Sequence, residues 1–335
     1  MRALVITGPN RAEVQDVARP EPAAGQVVVD VQRAGICGTD VEFLTGGMAY
    51  LHSGHAAYPI RIGHEWMGTV AAVGAGVEET WVGVRVTGDT MLGCGVCRRC
   101  LRGYQHVCEF RHEVGIRGGW HGALAEQVAV PATSLHRLPG SVDDAAGAMV
   151  EPGGNAFRAA QGADIHLGDR CLVLGPGTIG LLSALFAQAA GAEVHLLGRG
   201  ERSLAFARSL GFAGVWGQDE LPDLPWDAVI DASNASHLPG RALELVEPGR
   251  RVVYIGLAGV PSVIDTREIV LRDVTAVGVL SGSPGLAGTI EAYASGAVDP
   301  RPLIAATVTL DELPGILAGA RPAGAGAGPK FHVAL

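Results

Sequence analysis

The spacing of apolar residues along the chain changes near residue 150 and again near residue 285. Before residue 150 the apolar runs are short and separated by glycine and proline: Ala3–Thr7, Val27–Arg33, Gly68–Val73, Ala125–Val130 and Leu135–Leu138. Val27–Arg33 alternates apolar and polar side chains, the period of a half-buried strand. This part predicts a β-rich unit.

The rhythm then alters. Cys171–Leu174 is an apolar run ending in glycine, and Ile179–Ala190 has helical spacing that stops at Gly191, a good residue just past a helix end. Val194–Leu197 reads as a second buried strand and Glu201–Leu210 as a second helix, closed by Gly211. Short strands follow at Ala228–Asp231 and Arg251–Ile255. Strands alternating with helices predict βαβ units and a parallel sheet. Beyond residue 285 the pattern predicts a helix at Leu286–Ser295, a strand at Ala306–Thr309, and a helix at Glu312–Ala318 behind an Asp311 N-cap. The low-complexity stretch Arg321–Pro329 reads as a surface connection, because a last strand, Phe331–Val333, follows it.

Composition narrows the class. The 335 residues amount to about two domains. The 49 glycines and 19 prolines carry no G-X-Y period, and 48% of residues are hydrophobic, so collagen and disorder are excluded. A net charge of −9 without a basic run argues against gripping a phosphate backbone, so no nucleic-acid partner is expected. The most apolar stretch, Cys171 to Leu197, is broken by five glycines and prolines and carries Gln188 and Glu193, which is no membrane span. The start, Met-Arg-Ala-Leu-Val-Ile-Thr, lacks the apolar region of a signal peptide, and a cytoplasmic location is expected.

Four of the six cysteines crowd together as Cys94-x2-Cys97-x2-Cys100-x7-Cys108. That spacing lets four thiolates converge on one tetrahedral ion, which is what a closed structural zinc site requires. Arg98, Arg99 and Arg102 offset the excess negative charge. An iron–sulfur cluster of the bacterial ferredoxin kind would need a three-residue gap and a proline after the last cysteine, whereas Glu109 follows Cys108. Cys37, His64 and Glu151 are three further side chains of zinc-ligand type, which together would leave one position open. Taken singly, each has an ordinary reading: a small core residue, a hydrogen-bonded core histidine, a helix first-turn acid. Cys171 reads as a buried strand residue.

Gly175-Pro-Gly177-Thr178-Ile179-Gly180 stands between an apolar strand and a helix, the context in which G-x-G-x-x-G binds a dinucleotide pyrophosphate. At the end of the next strand, NAD sites usually carry an acid. Here Leu197 is followed by Gly198-Arg199-Gly200, with no acid before Glu201. Gly198 makes room and Arg199 offers a charge-assisted partner to a 2′-phosphate, so NADP(H) is preferred, with NAD(H) possible.

Together these segments resemble the zinc-containing medium-chain dehydrogenases/reductases, among them alcohol, sorbitol, threonine and glucose dehydrogenases. The resemblance is carried by Gly35-Ile-Cys37-Gly-Thr39-Asp40, Gly63-His64-Glu65, the four-cysteine lobe, Glu151-Pro152 and Gly175–Gly180, in this order over nearly the whole chain. It implies an α/β architecture: a GroES-like β-rich catalytic domain (residues 1–153 and 287–335, zinc lobe 93–109) and an inserted Rossmann domain (154–286) with a doubly wound parallel sheet. It places Cys37, His64 and Glu151 on a catalytic zinc, with Glu65 as an alternate ligand or a group behind the metal, and gives two zinc ions per chain. Thr39 matches the hydroxyl that takes the alcohol proton. The histidine that extends this relay in some relatives is Glu42 here, and His52 and His55 are the substitutes on offer. The implied reaction is hydride transfer between a nicotinamide and a secondary alcohol or ketone of a polyol, sugar or cyclitol. A threonine-type amino-alcohol dehydrogenase and a non-catalytic dinucleotide sensor are the alternatives. A homodimer or homotetramer is expected, with substrate specificity in the loops Met48–Tyr58 and Arg111–Trp120, where Tyr50, Tyr58, Glu113 and His121 are candidate contacts.

Overall fold

The computed structural model describes residues 1–335. Nine strands form in the first part of the chain: β1 (Arg2–Gly8), β2 (Arg11–Asp16), β3 (Gln26–Gly35), β4 (Glu65–Val73), β5 (Arg85–Gly88), β6 (Met91–Leu92), β7 (His112–Glu113), β8 (Gln127–Pro131) and β9 (Leu135–Arg137). Two helices, α1 (Gly38–Thr45) and α2 (Ala49–His52), sit between β3 and β4. After α3 (Asp144–Gly147) and α4 (Val150–Gly162), strands and helices alternate. They run β10 (Arg170–Leu174), α5 (Thr178–Ala189), β11 (Glu193–Gly198), α6 (Glu201–Ser209), β12 (Gly214–Gly217), β13 (Trp226–Asp231), α7 (Leu238–Leu245), β14 (Val246–Tyr254), α8 (Thr266–Leu271) and β15 (Thr275–Gly278). The chain ends with α9 (Leu286–Ser295), β16 (Ile304–Val308), α10 (Leu313–Leu317) and β17 (Lys330–Ala334). No helix is long and apolar enough to cross a membrane.

Two large sheets organise most of these elements, beside the two-stranded pairs β1-β2 and β6-β7. The first runs β16-β17-β3-β4-β5-β9, with β8 also paired to β3, so it is built from both ends of the chain. β17 lies antiparallel on β3, Val333 opposite Ala34. The second is wholly parallel, in the order β12-β11-β10-β13-β14-β15. Its first strand is central and the order reverses beside it, the doubly wound arrangement whose ligand crevice opens at the carboxyl ends of the strands. Helices cover both faces, which is why Cys171–Leu174 is apolar without alternation and fully buried.

Three elements differ from the sequence reading. β4 starts at Glu65, not Gly68, because Glu65 and Trp66 pair with Gly35 and Ala34. Both faces of this stretch are buried, so no alternation announces it. The N-cap near residue 310 is Thr309, not Asp311: its backbone N–H and hydroxyl both meet the Glu312 carboxylate at 2.8 Å, and one 3-10 turn precedes α10. α4 has no counterpart in the sequence pattern, since Pro152-Gly153-Gly154 looks like a turn. Pro152 falls in the first helical turn, where a missing N–H costs nothing. Gly154 is needed because a Cβ there would stand 2.7 Å from the Gly282 carbonyl.

Candidate active site

Where β3 ends and β4 begins, the two neighbouring strands bring several of the implied site residues to one place. Cys37 caps α1, its backbone N–H donating to the Asp40 carboxylate at 2.8 Å. His64 immediately precedes β4 and Glu65 opens it. The Cys37 sulfur, a His64 ring nitrogen and a Glu65 carboxylate oxygen lie within 4.8 Å of one another. Gly35 is required because any Cβ there would strike the Glu65 carboxylate, and Gly63 because it takes φ 106° with Leu124 N 2.5 Å from where a Cβ would stand. Thr39 lies in the first turn of α1.

Glu151 is buried in the first turn of α4, outside that 4.8 Å group yet close enough for its charge to act on His64. Burial pushes its carboxyl up to about 7, His64 opposing the rise and Glu65 adding to it. Asn155 Nδ2 donates to Glu151 Oε1 at 3.2 Å and fixes the carboxylate. Burial works against a charged His64, but Cys37, Asp40 and Glu151 outweigh it and hold the imidazole well above its ordinary pKa. His64 Nδ1 stands 3.9 Å from Asp40 Oδ1, too far for a hydrogen bond, and both buried atoms lack a partner. A thiol, an imidazole with one unpartnered nitrogen and a carboxylate converging at one place form a donor set that suits zinc.

Sequence reasoning missed the group behind this cluster. Lys330, on β17, is buried and donates to both Glu65 carboxylate oxygens, at 2.8 and 2.7 Å, and to the Ile36 carbonyl at 2.9 Å. Nothing near Lys330 in sequence signals this, because Glu65 is 265 residues away. Asp40 is visible inside the Gly35–Asp40 segment, but its approach to His64 is not.

The four cysteines of the lobe also converge, their sulfurs within 4.8 Å of one another. Cys94 to Cys100 measures 4.0 Å and Cys97 to Cys108 3.7 Å. Backbone N–H groups of Val96 and Cys97 pull the Cys94 thiol down to about 6, while burial pushes Cys100 up to about 12. Four sulfurs this close cannot all ionise without a cation, which is the condition a tetrahedral zinc ion meets.

At the cofactor loop each glycine has a separate job. Gly175 adopts φ 95° in the tight turn, and a Cβ on Gly180 would fall on the Gly175 carbonyl. Gly177 caps α5, and a Cβ placed there would have no neighbour within 4 Å, so its backbone is open to approach by a phosphate. Thr178 and Ile179 are the first residues of α5. Arg199 is exposed just beyond β11. The space beside Gly198, expected to serve a ligand, is filled from within: a Cβ there would lie 2.7 Å from Pro176 and 3.0 Å from Leu204. Next to the end of β11 a cavity of about 690 Å³ is lined by Leu197, Gln218, Leu221, His237, Arg241 and Val263.

Residues 23–140 match the alcohol dehydrogenase GroES-like domain, and residues 178–295 match the zinc-binding dehydrogenase domain. An L-threonine 3-dehydrogenase of Anaeromyxobacter sp. (strain K) is 32% identical over 79% of this chain and 78% of its own length. The chain belongs to the zinc-containing medium-chain dehydrogenase/reductase family. A sorbitol dehydrogenase of Halalkalibacterium halodurans is 30% identical over 85% of each chain. Among solved structures, an alcohol dehydrogenase of Escherichia coli CFT073 complexed with NADH superposes with a TM-score of 0.90 at 26% identity, covering 100% of this chain and 99% of that one. A Sinorhizobium meliloti 1021 protein described as a zinc-binding dehydrogenase, bound to NADP, gives 0.89 at 26% identity with the same coverage. As a family member the chain is an oxidoreductase acting on CH–OH groups, with zinc and a nicotinamide dinucleotide.

The remaining candidates are mostly committed elsewhere. Glu113 is buried and accepts from Arg111 at 2.8 Å and from the Tyr50 hydroxyl at 3.0 Å, so it joins the two expected specificity loops to each other. Tyr58 donates to the Phe43 carbonyl at 2.5 Å. His52 contacts the Gly46 carbonyl at 3.0 Å and His55 the Ser53 hydroxyl at 2.9 Å, so both exposed histidines are tied locally. His121 is exposed and borders a separate hollow with Arg61 and Trp120.

Proposed function

We propose that the chain transfers a hydride between NADP(H) and a secondary alcohol or ketone of a polyol, sugar or cyclitol. The observation that carries this reading is the convergence of Cys37, His64 and Glu65 with the buried Glu151 carboxylate beside them. Cys37, His64 and Glu151 hold the catalytic zinc, and Cys94, Cys97, Cys100 and Cys108 the structural one. Glu65, clamped by Lys330, stands behind the metal. When bound, zinc acidifies an alcohol and the nicotinamide takes the hydride. Thr39 accepts the alcohol proton. The first turn of α5, with Gly175, Gly177, Thr178, Ile179 and Gly180, binds the pyrophosphate through free backbone N–H groups. Gly198 keeps the β11 end close to that loop, and Arg199 pairs with the 2′-phosphate.

The coenzyme unit comprises residues 154–286 and the catalytic unit residues 1–153 and 287–335. A second reading, a threonine-type dehydrogenase, is favoured by the 32% identity to an L-threonine 3-dehydrogenase. A panel of polyols, sugars and threonine, followed by NADPH absorbance, separates the two. Activity on threonine alone would overturn the polyol reading. Two zinc ions per chain, with one lost in Cys37→Ser, is the expected metal content. A single zinc unaffected by that change would support a non-catalytic sensor.

The subunit contact in this reading is the free edge of the parallel sheet. β15 is the terminal strand, largely exposed, with Val270, Leu271 and Leu280 exposed beside it. An open edge flanked by apolar side chains invites the same edge of a second copy. Sedimentation of an Ala276→Lys variant, changed at an exposed position of β15, tests it: a monomer is expected, and an unchanged assembly excludes this edge. The reading sets the enzyme in the cytoplasm, where thiols stay reduced for zinc.

A further inference from the structure

The segment Asp89–Thr90 lies between β5 and β6 and touches three parts of the molecule at once. The Thr90 hydroxyl donates to the His64 carbonyl at 3.2 Å. The Asp89 carboxylate, buried, accepts from Met91 N at 2.9 Å, from Gln105 of the cysteine lobe at 3.4 Å, and from the Ser283 hydroxyl. Ser283 belongs to the turn Ser281–Gly285, by which the chain leaves the parallel sheet after β15.

That turn is tightly specified. Ser281 sits at φ 70°, a left-handed conformation rare outside glycine. Its hydroxyl meets the Ser283 backbone N–H at 3.1 Å and the Ser283 hydroxyl at 3.0 Å. Arg158 of α4 donates to the Leu280 and Ser281 carbonyls, both at 2.5 Å. The turn then presses backbone to backbone on the first turn of α4. A Cβ on Gly282 would stand 2.6 Å from the Glu151 carbonyl and 3.1 Å from Asn155 N. Asn155 is the residue that hydrogen-bonds the Glu151 carboxylate.

We propose that Asp89 is a positioning residue: through Ser283 it fixes the Ser281–Gly285 turn against α4, and so sets where the Glu151 carboxylate stands relative to His64. The neighbouring Thr90 hydroxyl anchors the His64 side of the same span, so one dipeptide gauges the distance between a histidine just before β4 and an acid on α4. The assignment rests on Glu151 being a zinc ligand.

The test uses the holoenzyme, with cobalt exchanged into the catalytic site as a geometric probe. Ser283→Ala removes one oxygen and no bulk, and Asp89→Ala removes the acceptor. Asp89→Asn keeps an acceptor oxygen for Ser283. Both alanine variants are expected to keep two metal ions, to shift the cobalt visible spectrum, and to lose about ten- to a hundredfold in kcat. Asp89→Asn is expected to stay near wild type in spectrum and rate. If Asp89→Ala does not fold, Ser283→Ala decides alone. A Ser283→Ala enzyme with unaltered spectrum and kcat, alongside a damaging Glu151→Gln, overturns the positioning role only. A Glu151→Gln enzyme with unchanged metal content and kcat overturns the reading of Glu151 as a ligand and the positioning role with it.

Discussion

Lys330 Nζ brackets both oxygens of Glu65, at 2.8 and 2.7 Å, with both side chains almost fully buried. The strand nearest the C-terminus thus neutralises an acid that converges with Cys37 and His64. Both charges are out of water, so each depends on the other. Lys330→Met is expected to cost about 3–5 kcal/mol, the usual consequence of leaving a buried charge alone. Denaturant unfolding of the variant measures it. Adding Glu65→Gln should recover part of the loss, because the orphaned charge is then gone.

The Glu151 carboxyl, pushed up to about 7 chiefly by burial, predicts a pH dependence. In the metal-free fold it keeps its proton above the ordinary value of 4.5, so its contribution to stability is full below that value and is lost as pH rises through about 7. Zinc requires the carboxylate, so binding at this site releases the proton. Glu151 should therefore contribute about a tenfold fall in apparent zinc affinity per pH unit below about 7, added to the protons that Cys37 and His64 give up on binding. Chelator competition at about pH 6 and about pH 8 reads the slope, and Glu151→Gln should lower it by about one proton, leaving the part due to Cys37 and His64.

Arg199 decides between the two dinucleotides if it meets the 2′-phosphate. Arg199→Ala is expected to raise KM for NADP by about tenfold or more, the loss of one charge-assisted pair, and to leave KM for NAD unchanged. Equal effects on both cofactors would remove the phosphate contact.

The four-cysteine lobe is expected to stand or fall as a unit. Cys97→Ser should release one zinc per chain and expose the lobe to proteolysis while the parallel sheet stays folded, because the lobe has few apolar contacts of its own. Val96, Leu101 and Tyr104 are all exposed on it. Metal analysis with limited proteolysis reports both effects.

Much of the parallel sheet is legible in the sequence because its central strands are apolar on both faces, and β10 and β11 run straight into glycine. The cysteine lobe is legible because its ligands are close in sequence. α4 is not, since its glycines look like a turn until Gly282 is seen pressed against Gly154, and Tyr293 and Thr289 against Gly153. Gly198 is legible as a residue but not as to purpose: Pro176 and Leu204, not a ligand, occupy the space it leaves.

The amino-acid order alone determined the class of chemistry, because thiol, imidazole and carboxylate donors and a phosphate loop are defined by residue type and short spacing. Only the tertiary structure decided which acid stands where. Glu65 and Glu151 are equivalent by type, yet a lysine from the far end of the chain clamps one, while burial pushes the other up to about 7 against the opposing hydrogen bond from Asn155. The lysine clamp closes over 265 residues, and no local pattern carries it.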